Sequence, residues 1–109
     1  MIDQKTPDEV YNEIKNMEKQ NLIDVRTVEE FDETHATGAV NIPLDRFMSE
    51  NPEELLKGIE KSETIYMICR SGARSMKAAE ICENAGFEKL VNISGGTLDW
   101  IEYGLPVES

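Results

Sequence analysis

Short apolar segments alternate along the chain with longer amphipathic stretches, and this alternation predicts the secondary structure. Four of the apolar segments are typical of buried strands, because they are short, contain β-branched residues and lack glycine and proline. They cover residues 22–25, 39–42, 64–68 and 89–93. The third segment, Thr-Ile-Tyr-Met-Ile, is the strongest of these predictions, since β-branched and aromatic residues follow one another without interruption.

Helix-start signals and apolar residues at helical spacing predict helices before and between these strands. Thr6 and Glu9 form a capping-box pattern at the start of the first helix. The apolar face of that helix is then predicted to contain Val10, Ile14 and Met17. Further helices are predicted after Thr27, after Asn51, from about Ser75 to Gly86, and over 97–103. Strands that alternate with helices indicate an α/β fold with a mainly parallel central sheet and helices on both faces.

Length and charge exclude several classes of protein. The 109 residues fit a single domain over 1–109, which can bury an ordinary core. The net charge of −11 argues against binding to nucleic acid or to an anionic membrane surface. No apolar run approaches the roughly 18 residues of a membrane span, and the N-terminus lacks a signal-peptide pattern. We therefore expect a monomeric, cytoplasmic protein.

The number and spacing of the cysteines also favour a cytoplasmic protein. The two cysteines are thirteen positions apart and form neither a disulfide framework nor a metal-ligand spacing. We therefore expect no metal and no cofactor. A reducing compartment suits such a chain.

One segment of this acidic chain contains no acidic residues. No acidic residue lies between positions 63 and 80, whereas three basic residues and Cys69 lie there. Arg70 and Arg74 are two of these basic residues. A strongly acidic protein that binds an anion needs a local positive region of this kind. The window is therefore the first candidate for a functional site.

Cys69 lies where the predicted strand 64–68 leads into the helix that follows. Ligands of parallel α/β sheets bind at such strand ends, and a short loop there can direct successive backbone N–H groups at an anion. Gly72 permits a tight turn, and the N-terminus of the following helix adds positive potential. Each feature lowers the pKa of a thiol. The alternative for any cysteine is core packing, which we assign to Cys82 on the apolar face of that helix.

Residues 69–75, Cys-Arg-Ser-Gly-Ala-Arg-Ser, resemble the active-site loop of the rhodanese (sulfurtransferase) domain. Three further motifs of that family resemble segments of this chain in the same order, namely 22–31, 35–43 and 95–107. Two positions depart from the family pattern: Thr34 stands where glycine is usual, and Ala36 where isoleucine is usual. Both belong to a packing motif, so they do not affect the comparison of the loop.

The resemblance implies covalent sulfur transfer of the thiosulfate sulfurtransferase type. Cys69 would attack the outer sulfur of thiosulfate or a similar small-molecule donor and carry it as a persulfide. The groups that bind the transferred sulfur and the donor would come from Arg70, Ser71, Gly72, Ala73 and Arg74. The acceptor would be cyanide in an assay, and a small thiol or a thioredoxin-like protein in the cell.

The resemblance also assigns roles to charged residues around the loop. Arg70 would meet the oxyanion of the donor, while Arg74 would either contact the substrate or brace the loop. His35 matches a structural turn of the family, which favours structure over a role as general base. Asp24 and Arg26 are expected to form a buried ion pair that supports the loop.

Three alternatives remain open. A persulfide carrier loaded by a protein donor would keep the same loop. A cysteine phosphatase or arsenate reductase would need Cys-x5-Arg around a tetrahedral oxyanion, whereas Cys69 and Arg74 give Cys-x4-Arg. A binding or regulatory module would usually lack the cysteine. The shorter loop favours sulfur transfer, with a single sulfur atom as its occupant.

Overall fold

The computed structural model describes residues 2–109, and its centre is a sheet of five parallel strands. The strands of the chain are β1 (Ile2–Lys5), β2 (Leu22–Asp24), β3 (His35–Ala36), β4 (Val40–Asn41), β5 (Thr64–Ile68), β6 (Lys89–Ile93) and β7 (Val107–Glu108). The order in the central sheet is β1-β6-β5-β2-β4, and every pairing in it is parallel. The predicted α/β class with a mainly parallel sheet is therefore confirmed.

Helices cover both faces of this sheet, as the alternation of elements predicts. They are α1 (Pro7–Ile14), α2 (Val28–Glu33), α3 (Leu44–Ser49), α4 (Pro52–Leu55), α5 (Ala73–Asn84) and α6 (Gly96–Glu102). One core cluster packs side chains of α3 and α5 against the sheet, and a second packs side chains of α1 and α6 against the opposite face. No helix in the described part of the chain is long and apolar enough to cross a bilayer.

The first helix begins where its capping signal lies but ends earlier than its apolar pattern suggests. The N–H of Thr6 donates to the Glu9 carboxylate at 2.8 Å, as in a capping box. Val10 and Ile14 are buried as predicted, whereas Met17 is 46% exposed. The prediction for Met17 was wrong because α1 ends at Ile14, so the helical spacing no longer applies three residues later.

The strand β1 has no counterpart in the sequence prediction. It contains one apolar residue, Ile2, and three polar ones. Such a composition suits its place at the edge of the sheet, where β6 is its one partner in the described part of the chain. Hydrophobic periodicity therefore gives almost no signal for it. Its register with β6 sets Gln4 beside Asn92.

A two-stranded antiparallel sheet joins the C-terminal part of the chain to the segment before β4. His35 and Ala36 in β3 pair with Glu108 and Val107 in β7. Each strand has only two residues, which is too short for a periodic pattern to be recognised. The pairing places this segment over the second core cluster, in which Ala36 is completely buried.

The predicted ion pair at the end of β2 is present and buried. Asp24 is 0% exposed and Arg26 is 5% exposed. The Arg26 guanidinium donates to the Asp24 carboxylate, with Nη2 at 2.8 Å from Oδ2, and the backbone N–H of Arg26 donates to Oδ1 at 2.9 Å. Arg26 Nη2 also donates to the backbone carbonyl of Thr34 at 2.6 Å. This last bond needs no particular side chain at Thr34, so the departure from glycine there is tolerated.

We predict that Arg26→Ala lowers the free energy of unfolding by about 3–5 kcal/mol, because it leaves the Asp24 carboxylate buried without a counter-ion. Urea denaturation should give a lower midpoint with an unchanged slope. The matched control is Arg46→Ala, which removes an exposed pair with Glu50 and should leave the midpoint almost unchanged. Equal shifts in both variants would contradict a structural role for the buried pair.

Candidate active site

Cys69 directly follows β5, at the carboxyl end of a central strand, and its sulfur is surrounded by hydrogen-bond donors. The residue is 1% exposed. The N–H of Gly72 donates to Cys69 Sγ at 3.0 Å, and Ser75 Oγ lies 3.3 Å from the same sulfur. The backbone N–H groups of Ser71 and Ser75 also lower the pKa of this thiol. The loop thus directs several N–H groups at one point, as its sequence suggests.

The helix after Cys69 begins two residues before the predicted position. α5 starts at Ala73 rather than near Ser75, because Gly72 turns the chain with φ of +111° and serves as its N-cap. This φ lies in the left-handed region, which favours glycine. Ala73 and Arg74 therefore belong to the first helical turn. The N–H groups of this turn have no intrahelical partners and are available to the sulfur.

The carbonyl groups of the loop are held on the side away from the sulfur. The backbone N–H of Thr97 donates to Cys69 O at 2.8 Å, and the Thr97 hydroxyl donates to the same oxygen at 2.9 Å. The N–H of Leu98 donates to Arg70 O at 3.2 Å. Since a trans peptide directs its carbonyl and its N–H to opposite sides, fixing Arg70 O in this way turns the N–H of Ser71 towards the sulfur.

Gly96 allows this contact between α6 and the loop. A Cβ atom built on Gly96 would lie 2.6 Å from Arg70 O and closer still to Cys69 O. No side chain fits in that space without moving the loop. Of the Gly-Gly pair, Gly96 is therefore the residue needed for the close approach of two backbone segments.

The hydrogen bonds and the burial of Cys69 act on its pKa in opposite directions. Burial raises the pKa of the thiol, whereas the Ser75 hydroxyl and the N–H groups of Ser75, Gly72 and Ser71 lower it, and the net result is a lowered pKa. Cys82 has no such donors among residues 2–109, and burial raises its pKa to about 12. The structure thus separates the two thiols as the sequence predicts, with a thiolate favoured only at Cys69.

Two of the three arginines near the loop are neutralised by acids. Arg74 donates to both carboxylate oxygens of Glu30, at 2.7 and 2.9 Å. The Arg74 guanidinium lowers the pKa of Glu30 to about 2, so the pair stays charged far below neutral pH. Of the two predicted roles for Arg74, the structure thus contains the bracing contact, between α5 and α2. Arg26 is bound to Asp24.

Arg70 differs from the other two arginines. Its side chain is exposed and has no ion-pair partner among residues 2–109. It borders a depression of about 250 Å³ that also reaches Thr97, Leu98 and Ile101. Arg70 therefore has a cationic group free for an incoming anion.

His35 lies among structural contacts. Its Nδ1 is 2.7 Å from Phe31 O, and its ring stacks on the Phe31 ring at 3.6 Å between centroids. Its Nε2 lies 3.4 Å from the Glu108 carboxylate. These contacts join α2 to β7, and they support the interpretation of His35 as a structural residue.

Sequence reasoning gave no role to the Ser75 hydroxyl, to Asn92 or to Gln4, although all three belong to the surroundings of Cys69. Ser75 Oγ contacts Asn92 Oδ1, and Asn92 Nδ2 donates to Gln4 Oε1 at 2.9 Å and to Gly72 O at 3.2 Å. One signal was present in the sequence. Asn92 interrupts the apolar strand Leu-Val-Asn-Ile, and a buried amide requires polar partners.

Comparisons with known proteins agree on a family. Residues 6–103 match the family model described as Rhodanese-like domain. The chain is 40% identical over 94 residues to Thiosulfate sulfurtransferase 16, chloroplastic, of Arabidopsis thaliana, with 80% of this chain and 78% of that protein covered. A crystal structure of a rhodanese-like domain protein from Staphylococcus aureus superimposes with a TM-score of 0.79 at 32% identity, covering 98% of this chain and 99% of that one.

Another relative is named for sulfur carriage and not for sulfur transfer. The chain is 37% identical over 83 residues to YrkF of Bacillus subtilis, which is named as a candidate sulfur carrier protein. The match covers 76% of this chain and 42% of YrkF. The chain therefore spans less than half the length of that relative.

We predict that iodoacetamide reacts with Cys69 with a midpoint pH below that of the same cysteine in the urea-unfolded chain, because loop donors stabilise the thiolate. The measurement is alkylation rate against pH, followed by peptide mass spectrometry. Cys82 is an internal control and should stay unmodified until the protein unfolds, since its pKa is about 12. A folded-state midpoint at or above the unfolded value would refute the prediction.

We also predict that Gly96→Ala raises the alkylation midpoint of Cys69, because a methyl group at this position displaces the Cys69 and Arg70 carbonyls and with them the inward N–H groups. Gly104→Ala is a matched control. Gly104 also has a positive φ, +72° against +55° at Gly96, but a Cβ atom at Gly104 would have no other atom within 4 Å. The control should lose some stability through backbone strain and keep the Cys69 midpoint. An unchanged midpoint in Gly96→Ala would mean that α6 does not set the loop geometry.

Proposed function

The chain belongs to the rhodanese-like family, and on that basis we propose that it transfers sulfane sulfur through a persulfide on Cys69. The observation that carries this proposal is the position of Cys69 Sγ within hydrogen-bonding distance of the loop N–H of Gly72, at 3.0 Å. Donors arranged in this way stabilise a negative charge on sulfur. The relatives support sulfur transfer or sulfur carriage in general for this chain; thiosulfate as the donor is our more specific proposal.

The first half-reaction is a displacement on sulfur. The Cys69 thiolate attacks the outer sulfur of thiosulfate, a new S–S bond forms, and the bond between the two thiosulfate sulfurs breaks. Sulfite leaves with the electron pair, and the negative charge of the enzyme moves to the outer sulfur of the persulfide. Loop N–H groups that first stabilise the thiolate then stabilise this outer sulfur. In the second half-reaction a thiolate or cyanide attacks the outer sulfur and Cys69 leaves as the thiolate.

The charged residues support a division of roles in this reaction. Arg70 is exposed and has no ion-pair partner in the described chain, so we assign it to the oxyanion of the donor. Arg74 is held in a bidentate contact by Glu30, so we assign it to bracing the loop. The contribution of Ser71, Gly72 and Ala73 to binding is then through backbone N–H groups, which a change of side chain at Ser71 or Ala73 leaves in place.

A phosphatase fits these observations less well. The loop between Cys69 and Arg74 is one residue shorter than Cys-x5-Arg. The Arg74 guanidinium, which would have to hold the phosphoryl oxygens, is occupied by Glu30. A persulfide carrier is the second candidate, favoured by the match to YrkF. It uses the same Cys69 intermediate and differs only in the donor.

We predict that incubation of the reduced protein with thiosulfate adds about 32 Da, the mass of one sulfur atom in a persulfide. Intact-mass measurement should detect the adduct, the Cys69 peptide should contain it, and dithiothreitol or cyanide should remove it. Cys69→Ser should abolish both the adduct and thiocyanate formation. Cys82→Ser is the matched control, and it should keep activity within a few-fold, because Cys82 packs in the core.

Parallel assays with other substrates separate the sulfurtransferase, the persulfide carrier and the phosphatase. Loading of Cys69 by a cysteine desulfurase with cysteine, but not by thiosulfate, would support the carrier. Turnover of a phosphate ester without any sulfur adduct would support the phosphatase. A folded protein that is loaded by neither sulfur source would overturn the proposal of sulfur transfer.

A further inference from the structure

A chain of uncharged hydrogen-bonding groups extends from the Cys69 sulfur to the edge of the sheet. Ser75 Oγ lies 3.3 Å from Cys69 Sγ and also contacts Asn92 Oδ1. Asn92 Nδ2 in turn donates to Gln4 Oε1 at 2.9 Å. Ser75 is 0% exposed and Asn92 is 3% exposed. Water therefore has little access to the two groups nearest the sulfur, and they depend on each other for hydrogen bonds.

The orientation of the Asn92 amide is fixed by the loop itself. Gly72 O can only accept a hydrogen bond, and it lies 3.2 Å from Asn92 Nδ2. The reversed amide would set two carbonyl oxygens against each other at that position. Asn92 Oδ1 must therefore face Ser75 Oγ, and it can only accept a hydrogen bond from it.

Ser75 thus has one hydroxyl proton, which it can donate either to Cys69 Sγ or to Asn92 Oδ1. In the thiol state no conflict arises, since the Cys69 S–H can donate to Ser75 Oγ while the Ser75 O–H donates to Asn92 Oδ1. Loss of the thiol proton to solvent turns the sulfur into an acceptor. The Ser75 hydroxyl can then donate either to the thiolate, which keeps the Gly72 N–H as a donor in both cases, or to the buried Asn92 carbonyl, and the group it does not reach lacks its hydroxyl donor.

We propose that Asn92 competes with the Cys69 sulfur for the hydroxyl proton of Ser75, and that this competition disfavours the bare thiolate relative to the states before and after it. In the thiolate, the Ser75 O–H rotates to Cys69 Sγ and the Asn92 carbonyl loses its donor. In the persulfide, a state that rests on the proposed function, the negative charge lies on the outer sulfur. The inner sulfur is then a weak acceptor, and the Ser75 O–H returns to Asn92.

Asn92 is a positioning residue in this scheme, because it acts on the sulfur only through Ser75 and Gly72. Charged groups also face the Cys69 region, and they must stay constant in any test. They are Arg70 in the loop, the Arg74–Glu30 pair between α5 and α2, the Asp24–Arg26 pair at the end of β2, and Asp99 beside the N-terminus of α6. None of them contacts Ser75 Oγ or Asn92 Oδ1 in the described chain. Substitutions at Ser75 and Asn92 therefore leave the charges unchanged.

The test is a double-mutant cycle on the alkylation midpoint of Cys69. Asn92→Ala is measured with serine at position 75 and again in a Ser75→Ala protein. Loss of the bond to Gly72 O affects both backgrounds, whereas release of the hydroxyl proton occurs only where Ser75 is present. The shift is the change in the Cys69 alkylation midpoint that Asn92→Ala causes in each parent protein. With Ser75 present, we expect this shift to be lower than the shift in the Ser75→Ala protein by about half a pH unit or more.

The sign of this difference shows whether Asn92 competes for the Ser75 proton or orients the Ser75 hydroxyl towards the sulfur. If Asn92 merely orients Ser75 towards the sulfur, Asn92→Ala raises the midpoint more in the Ser75 background, and the proposal is overturned. Equal shifts in both backgrounds overturn it as well. Ser75→Thr retains a hydroxyl and should retain the coupling to Asn92. Asn84→Ala, at the exposed end of α5, is the control and should leave the midpoint unchanged. Alkylation needs no sulfur donor, so the outcome is independent of the sulfur-transfer test.

A second measurement covers the case in which Asn92→Ala does not fold. In the unmodified protein, the Asn92 side-chain carbonyl loses its donor as Cys69 ionises, so its carbon resonance should move upfield with the Cys69 midpoint. In Ser75→Ala this carbonyl has no hydroxyl donor at any pH, and most of the titration shift should disappear. A shift of equal size in both proteins would overturn the proposal.

Discussion

The geometry of this site depends on where the loop carbonyls point. Thr97 and Leu98, at the start of α6, bind the carbonyls of Cys69 and Arg70, and Asn92 binds that of Gly72. Each planar peptide fixed in this way presents its N–H on the opposite side. The Ser71 N–H is thus turned towards the sulfur by a group on the far side of the loop, the Leu98 N–H that binds Arg70 O. Gly96 is required because the backbone segments approach too closely for any side chain.

The local potential at the sulfur comes mainly from dipoles. The protein has a net charge of −11, and Glu30 and Asp24 neutralise two of the three arginines near the loop. What remains is the exposed Arg70, the hydroxyl of Ser75 and several N–H groups of the loop and of the first turn of α5. These dipoles have fixed directions and no net charge, so neither salt nor the surrounding acids weaken them as they weaken exposed charges.

The sequence predicted those features that depend on local pattern. The strands β5 and β6 have their predicted bounds, and Cys69 stands at the strand–helix junction where it was expected. Features that depend on folding partners were missed. Glu30 reaches Arg74 across 44 positions, so a window without acids in the sequence acquires one in space. The polar edge strand β1 had no apolar period to reveal it, and Gly72 allowed α5 to begin earlier than its apolar face suggested.

The pairing of β1 with β6 affects the order in which the molecule becomes functional during synthesis. Residues 2–5 leave the ribosome early, yet their sheet partner spans residues 89–93. The N-terminal part of α6, which fixes the loop carbonyls, is made later still. Until then the nascent chain contains Cys69 without its activating neighbours, and the long-range pairing that completes the sheet forms late. The donors that lower the pKa of Cys69 are therefore assembled only after residues 89–98 have been made and have paired with the earlier part of the chain.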